Sequence, residues 1–249
     1  MTRRRLLVTR DLPPEVAARA GRDYALTRWN RHGPPLAEAA SGMDALLCTP
    51  ADKLDATAIA ALPASLRVIG TFSVGTDHID LQAARARALP VVNTPGVLSA
   101  ATAEFTMLLL LAAARRCGQG ERQLRAGEWL GWSPATFLGT QVSGKRLGIF
   151  GMGRIGQTLA GMARGFGMEI HYRNRTRLSP ALEQGAVWHA DDAGFLAASQ
   201  FLALCAPGGA ETLHWLNAAR IAALPAGAVV VNTARGTLVD DAALIAALS

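Results

Sequence analysis

The sequence predicts an α/β protein with parallel sheets in two successive units. Three observations carry that expectation. Short apolar runs alternate with helix-like segments along both halves of the 249-residue chain, the pattern of strands joined by crossover helices. A long, mostly apolar helix, Ser99 to Arg116, stands between two such series and is expected to join two domains, 1–98 and 99–249. The second series opens with RLGIFGMGRIG, Arg146 to Gly156, where an apolar strand run leads into a glycine turn and then a helix.

In the first series, Leu6 to Thr9 reads as a strand and Pro13 to Ala20 as a helix opened by prolines. Ala45 to Thr49 and Leu66 to Gly70 read as further strands, with a helix at Ala56 to Ala61 between them. Leu81 to Ala88 follows as a helix, Asp77 or Asp80 as its cap, and Val91-Val92 as a short strand. Ser99 or Thr102 is placed to cap the long helix, with Glu104 near its positive end. Gly118 to Lys145 is glycine-rich, carries Trp129 and Trp132, shows no period and reads as a connector. Strands are then expected near Leu147 to Phe150, Met168 to Tyr172, Ala186 to Trp188, Phe201 to Leu204 and Ala228 to Val231. Helices lie between them, including Gln157 to Arg164 and Leu213 to Ala223, and a last helix, Asp240 to Leu248, is capped by Asp240.

The glycine turn carries chemistry. Gly151 permits a tight turn, Gly153 leaves room for a pyrophosphate, and Gly156 lets helix and strand approach closely. The helix start presents N–H groups and a positive dipole end to phosphate. A lone GxGxxG also occurs in purely structural turns, but the strand and helix on either side favour dinucleotide binding.

About 20 residues on, an NAD site places an acid for the ribose 2′-hydroxyl. Here Arg173-Asn174-Arg175-Thr176-Arg177 has no carboxylate. Guanidinium groups bind a 2′-phosphate through charge-assisted, bidentate hydrogen bonds. A solvated basic loop is the plainer alternative, but the position after the second strand favours NADP(H), with NAD(H) still admissible.

Composition narrows the classes. Half the residues are hydrophobic, enough for one large or two modest cores. Cys48, Cys117 and Cys205 are odd in number and far apart, which suggests thiols in a reducing compartment and no disulfide framework. The five histidines lack zinc-ligand spacing, so no metal is expected. The basic start, MTRRRLLVTRD, lacks a signal-peptide core. The apolar stretch Phe105 to Ala114 is shorter than the ~20 residues of a membrane span. A soluble cytoplasmic protein is expected. The formal charge of +6 comes from scattered arginines, with lysine only at Lys53 and Lys145, and no nucleic-acid motif accompanies it.

Three further loops sit at strand ends, where open α/β sheets bind ligands. Thr71 to Asp77 contains glycine and offers backbone N–H groups to a small carboxylate, although an ordinary strand-to-helix turn reads equally well. His78 reads as structural. Asn232 to Gly236 follows a valine strand, and its Arg235 is placed to clamp a carboxylate and polarise a carbonyl; a capping surface arginine is the alternative. Leu204 to Pro207 is placed to pack against the adenine side of a nucleotide through Cys205 and Pro207.

These residues resemble the D-2-hydroxyacid dehydrogenase family. The matching segments are SVGTDHIDL (73–81), VVNTPG (91–96), TAEFTMLLLL (102–111), GKRLGIFGMGRIG (144–156), CAPGGAET (205–212) and VVVNTARGTLVDDAAL (229–244). GEWLGWSP and RNRTR most resemble its glyoxylate/hydroxypyruvate reductase branch, whose members commonly use NADPH. The resemblance implies two Rossmann-like or flavodoxin-like domains, one for substrate and one doubly wound for coenzyme, with a cleft between them. It implies a homodimer through the coenzyme domains and a small 2-oxo acid reduced to the D-2-hydroxy acid. Val74 and Gly75 would bind the substrate carboxylate, and Arg235 would be the catalytic arginine. Thr102, Gly153, Arg154, Ile155, Gly156, Thr233 and Ala234 would contact the coenzyme, and Asn174, Arg175 and Thr176, with Arg173, its 2′-phosphate.

The family also carries a glutamate and a proton-donating histidine downstream of the arginine, and a return of the chain into the substrate domain. The sequence reads only to Ser249 and shows neither. The expectation is therefore a C-terminally truncated chain that keeps much of its nucleotide site and turns over little. A nucleotide-sensing corepressor of the same fold and an inactive fragment are the alternative readings.

Overall fold

The computed structural model describes residues 3–249, so Met1 and Thr2 of the basic N-terminal stretch lie outside the described residues. The chain divides into two compact units, one ending at Val97 and the other beginning at Leu98.

The first unit runs β1 (Arg5–Val8), α1 (Pro14–Asp23), β2 (Ala25–Arg28), α2 (Leu36–Ala39), β3 (Ala45–Cys48), α3 (Ala56–Ala61), β4 (Val68–Thr71), α4 (Leu81–Ala86) and β5 (Val91–Val92). Its sheet has the order β2-β1-β3-β4-β5 with parallel pairing throughout. This is the flavodoxin-like doubly wound order. Leu7, Leu46, Ile59 and Ile69 are fully buried at its centre. Asp55 and Asp80 cap α3 and α4 by accepting from Ala58 N and Ala83 N.

The second unit runs α5 (Ser99–Ala114), α6 (Cys117–Arg125), β6 (Arg146–Phe150), α7 (Arg154–Gly165), β7 (Glu169–Arg173), α8 (Pro180–Glu183), β8 (Val187–Trp188), α9 (Asp192–Ala198), β9 (Phe201–Leu204), α10 (Ala218–Ala222), β10 (Val229–Asn232) and α11 (Asp241–Leu248). The sheet order β10-β9-β6-β7-β8, all parallel, places the glycine-turn strand β6 in the middle. That is the strand arrangement of a dinucleotide-binding sheet. Successive side chains of β9 serve two cores: Phe201 and Ala203 face α5 and α7, while Leu202 and Leu204 face Phe195, Trp215 and Leu238. Each fully buried large side chain of this kind contributes about 1.5–3 kcal/mol.

The structure corrects four expectations. β2 is an additional strand, an edge strand of largely exposed residues without an apolar run. The connector after α5 contains a helix, α6, which buries no residue and so leaves no apolar period. The expected helix over Leu213 to Ala223 is only α10, because Leu216 bridges Val239 and Asn217 caps the later start. Finally, neither Ser99 nor Thr102 caps α5, whose N-cap is Leu98 without a side-chain bond. Among the described residues, no helix is long and apolar enough to cross a membrane, and no group of three or more His, Cys, Asp or Glu is arranged to hold a metal.

Candidate functional site

A cavity of about 900 Å³ opens at the carboxyl ends of β6, β7 and β9 in the second unit. The glycine turn forms one wall. Gly151 has φ +95°, and a Cβ there would stand 2.4 Å from Ala206 N. A Cβ on Gly156 would stand 2.6 Å from the Gly151 carbonyl oxygen, so both positions need glycine for close backbone approach. A Cβ on Gly153 would meet nothing within 4 Å, and Gly153 lines the cavity. Gly153 is the N-cap residue of α7, so the helix start adjoins that open space. A turn closed behind and open in front, leading into a helix N-terminus, fits a coenzyme pyrophosphate.

The basic loop after β7 forms the second wall, and its members have different partners. Asn174 Oδ1 accepts from Met152 N at 2.7 Å and so ties this loop to the glycine turn. Arg173 donates to Asp192 Oδ1 at 3.0 Å and to the Asn174 carbonyl. Arg175 pairs with Glu211 at 2.9 Å. Arg177 forks onto Glu183 at 2.8 and 3.1 Å, and Glu183 also receives the Tyr172 hydroxyl at 2.6 Å. The bonds from Arg177 and Tyr172 hold the Glu183 carboxyl below its ordinary range.

Phe150 and Trp215, stacked with centroids 3.7 Å apart, give the cavity an apolar wall. Arg220 lies over Trp215 and pairs with Asp192 Oδ2 at 2.7 Å, while Trp215 Nε1 donates to the same oxygen at 3.2 Å. Burial pushes the Cys205 thiol up to about 12, leaving a neutral, unreactive wall group.

Of the expected coenzyme residues, Gly151, Gly153, Arg173, Asn174, Arg175, Thr176, Cys205 and Pro207 line this cavity. Arg154, Ile155 and Gly156 make the first turn of α7. Thr102 sits on α5 beside Thr106, whose hydroxyl donates to the Thr102 carbonyl at 2.7 Å. Thr106 Oγ1 also lies 2.7 Å from Thr233 Oγ1. With its only proton committed to Thr102, Thr106 must accept from Thr233. Ala234 N donates to Asn232 Oδ1, and Asn232 Nδ2 donates to the Arg235 carbonyl, which fixes the turn carrying Arg235.

Sequence reasoning missed Asp192, Glu211, Trp215 and Arg220, all of which line the cavity. Glu211 falls within CAPGGAET, whereas nothing in the local sequence connects Asp192 with Arg220.

In the first unit, the expected carboxylate loop follows β4. The Val74 carbonyl accepts from Asn93 Nδ2 at 2.8 Å and the Gly75 carbonyl from Ser73 Oγ at 2.7 Å, so both peptide units are held by side chains. Thr71 Oγ1 contacts Ser73 Oγ at 2.7 Å and His78 Nε2 at 2.9 Å. His78 is thus part of the scaffold of this loop.

Comparison with known proteins adds to this geometry. The family model described as "D-isomer specific 2-hydroxyacid dehydrogenase, NAD binding domain" matches residues 107–249. The chain is similar to a glycerate dehydrogenase of Hyphomicrobium methylovorum, 42% identical over all of this chain and 79% of the relative. It is also similar to a glyoxylate reductase of Thermococcus litoralis, 39% identical over 98% of this chain and 76% of the relative. Among solved structures it resembles an NADPH-dependent glyoxylate/hydroxypyruvate reductase of Sinorhizobium meliloti in complex with NADP and malonate. There the TM-score is 0.86 and the identity 32%, covering 99% of this chain and 76% of that one.

Proposed function

The chain belongs to the D-isomer specific 2-hydroxyacid dehydrogenase family, and on that premise we propose NADPH-dependent reduction of a small 2-oxo acid, glyoxylate or hydroxypyruvate, to the D-2-hydroxy acid. The carrying observation is the loop after β7, which brings Arg173, Asn174 and Arg175 to a cavity beside a glycine turn that only glycine fits. The loop itself offers no acid to a ribose 2′-hydroxyl. The relatives named as glyoxylate reductases, one of them NADPH-dependent, support the same reading.

In this reading Gly151, Gly153 and the α7 start through Arg154, Ile155 and Gly156 hold the pyrophosphate. Arg173, Asn174, Arg175 and Thr176 take the 2′-phosphate, and Cys205 and Pro207 flank the adenine. Thr102, Thr233 and Ala234 adjoin the nicotinamide. When bound, the coenzyme supplies the hydride. The Val74 and Gly75 N–H groups bind the substrate carboxylate, and Arg235 polarises the carbonyl being reduced. A general acid protonates the resulting oxygen. The family resemblance puts that acid on a histidine paired with a glutamate downstream of Arg235, and none of the five histidines here is assigned to it.

Titration of nicotinamide fluorescence tests the reading. NADPH is expected to bind at least about tenfold tighter than NADH, the worth of one charge-assisted bond. A clear preference for NADH overturns the coenzyme assignment, and failure to bind either overturns the function. A homodimer through the second unit belongs to the same proposal, because Phe105, Leu108, Leu130 and Trp132 leave apolar side chains exposed there. Sedimentation as a monomer at micromolar concentration would contradict it. A cytoplasmic location fits the three free thiols.

A further inference from the structure

We propose that Glu211 is a specificity-determining residue that limits the preference for a 2′-phosphorylated coenzyme by competing with the phosphate for Arg175. This rests on the NADP(H) reading above and names the residue that tunes it.

The arginines around the cavity are not equivalent. Arg177 is forked onto Glu183 and lies outside the cavity lining. Arg173 and Arg220 converge on Asp192, which also receives Trp215 Nε1. That network is compact: the Arg173 and Asp192 side chains are only 22% and 25% exposed. Asp192 is shared among these donors, so Arg173 keeps a carboxylate partner even when it faces a phosphate.

Arg175 differs. Its ion pair with Glu211 is a single 2.9 Å contact between side chains 88% and 76% exposed. Exposed pairs of this kind contribute little to stability and exchange readily. Both residues line the cavity, one in the loop after β7 and the other in the short 3-10 turn Ala210–Thr212 after β9. Since β7 and β9 flank β6, the pair spans the carboxyl end of the strand that feeds the glycine turn.

A 2′-phosphate offers Arg175 a bidentate, doubly charged acceptor, which a carboxylate in a single contact does not match. Binding the phosphate takes Arg175 from Glu211 and leaves the carboxylate close to the incoming dianion. A ribose with a free 2′-hydroxyl gains little from the guanidinium and leaves the pair intact. Glu211 therefore penalises the phosphorylated coenzyme selectively.

The test is a set of NADPH and NADH titrations on wild type, Glu211→Gln, Arg175→Ala and the double variant, with thermal melting as a fold check. Glu211→Gln is expected to tighten NADPH by roughly 3–10-fold and to change NADH by less than about twofold. The gain should shrink strongly in the Arg175→Ala background and at about 0.5 M salt. An equal effect on both coenzymes, or a full gain without Arg175, overturns the competition. If wild type prefers NADPH and either of those results appears, only this inference fails. If wild type prefers NADH and Arg175→Ala changes neither titration, the coenzyme reading fails and takes the inference with it.

Discussion

Asn174 accepts a 2.7 Å hydrogen bond from the Met152 N–H, so the loop after β7 is pinned to the glycine turn by one side-chain oxygen. Asn174→Asp keeps an acceptor at that oxygen and adds a negative charge beside the arginines. The fold should persist, with melting nearly unchanged. NADPH affinity should fall by about 10–100-fold, the effect of one to two charge-assisted bonds, while NADH affinity changes much less. Equal losses for both coenzymes would show that the substitution acts only on loop geometry.

Gly151→Ala places a methyl group 2.4 Å from Ala206 N at a φ of +95°. Left-handed backbone costs an L-residue roughly 1–2 kcal/mol and overpacking about 1–3 kcal/mol more. Urea unfolding should show a loss of about 2–5 kcal/mol, with coenzyme binding weakened in parallel. A variant as stable as wild type would mean that the turn can relax away from the loop after β9.

Arg235 carries the proposed hold on the substrate. Arg235→Gln should weaken binding of oxamate, an unreactive 2-oxo acid mimic, to the NADPH-loaded protein by about 10–100-fold. The NADPH affinity itself should stay within about twofold, because Arg235 does not line the cavity beside the glycine turn. Undiminished oxamate binding removes Arg235 from the proposed site.

His171 Nδ1 and His189 Nε2 lie 2.9 Å apart, so one proton serves the facing nitrogens. Burial lowers both side chains from their ordinary 6.5, and His189 lowers His171 further. The unfolded chain therefore takes up protons more readily than the folded one. This contribution to stability is complete above 6.5 and declines as pH falls below it. The midpoint of thermal unfolding should drop between about pH 7 and pH 5, and His171→Gln should flatten that slope. An identical slope in the variant would exonerate the pair. The carboxylates with lowered values, such as Asp44, act in a more acidic range and do not mask it.

The three thiols should separate cleanly. Cys117 is exposed, whereas burial raises Cys48 to about 11 and Cys205 to about 12. An aromatic disulfide reagent at about pH 8 should modify one thiol rapidly and the other two only after unfolding. Rapid reaction of Cys205 would mean that its burial in the cavity wall is transient.

The readability of the sequence followed burial. Strands β6 and β9 are buried on both faces and stand out as apolar runs, and GMGRIG locates the turn between β6 and α7. β2 and α6 bury nothing and left no pattern. At the site, the basic loop was visible but its counter-charges were not. Asp192 and Glu211 lie 19 and 36 residues from the arginines they meet, and only the sheet order brings them there. Three alternating arginines suggested one phosphate-binding cluster. The fold gives them to three different carboxylates, and Arg220 joins from α10.

The hydroxyl pair of Thr106 and Thr233 joins positions 127 residues apart. During synthesis α5 emerges early, yet its buried Thr106 waits for nearly the whole unit before this donor arrives. Such distant closure is slow and leaves apolar surface uncovered meanwhile. The nascent unit is therefore most vulnerable to aggregation and proteases just before β10 is made, and a ribosome pause there would lengthen the exposure.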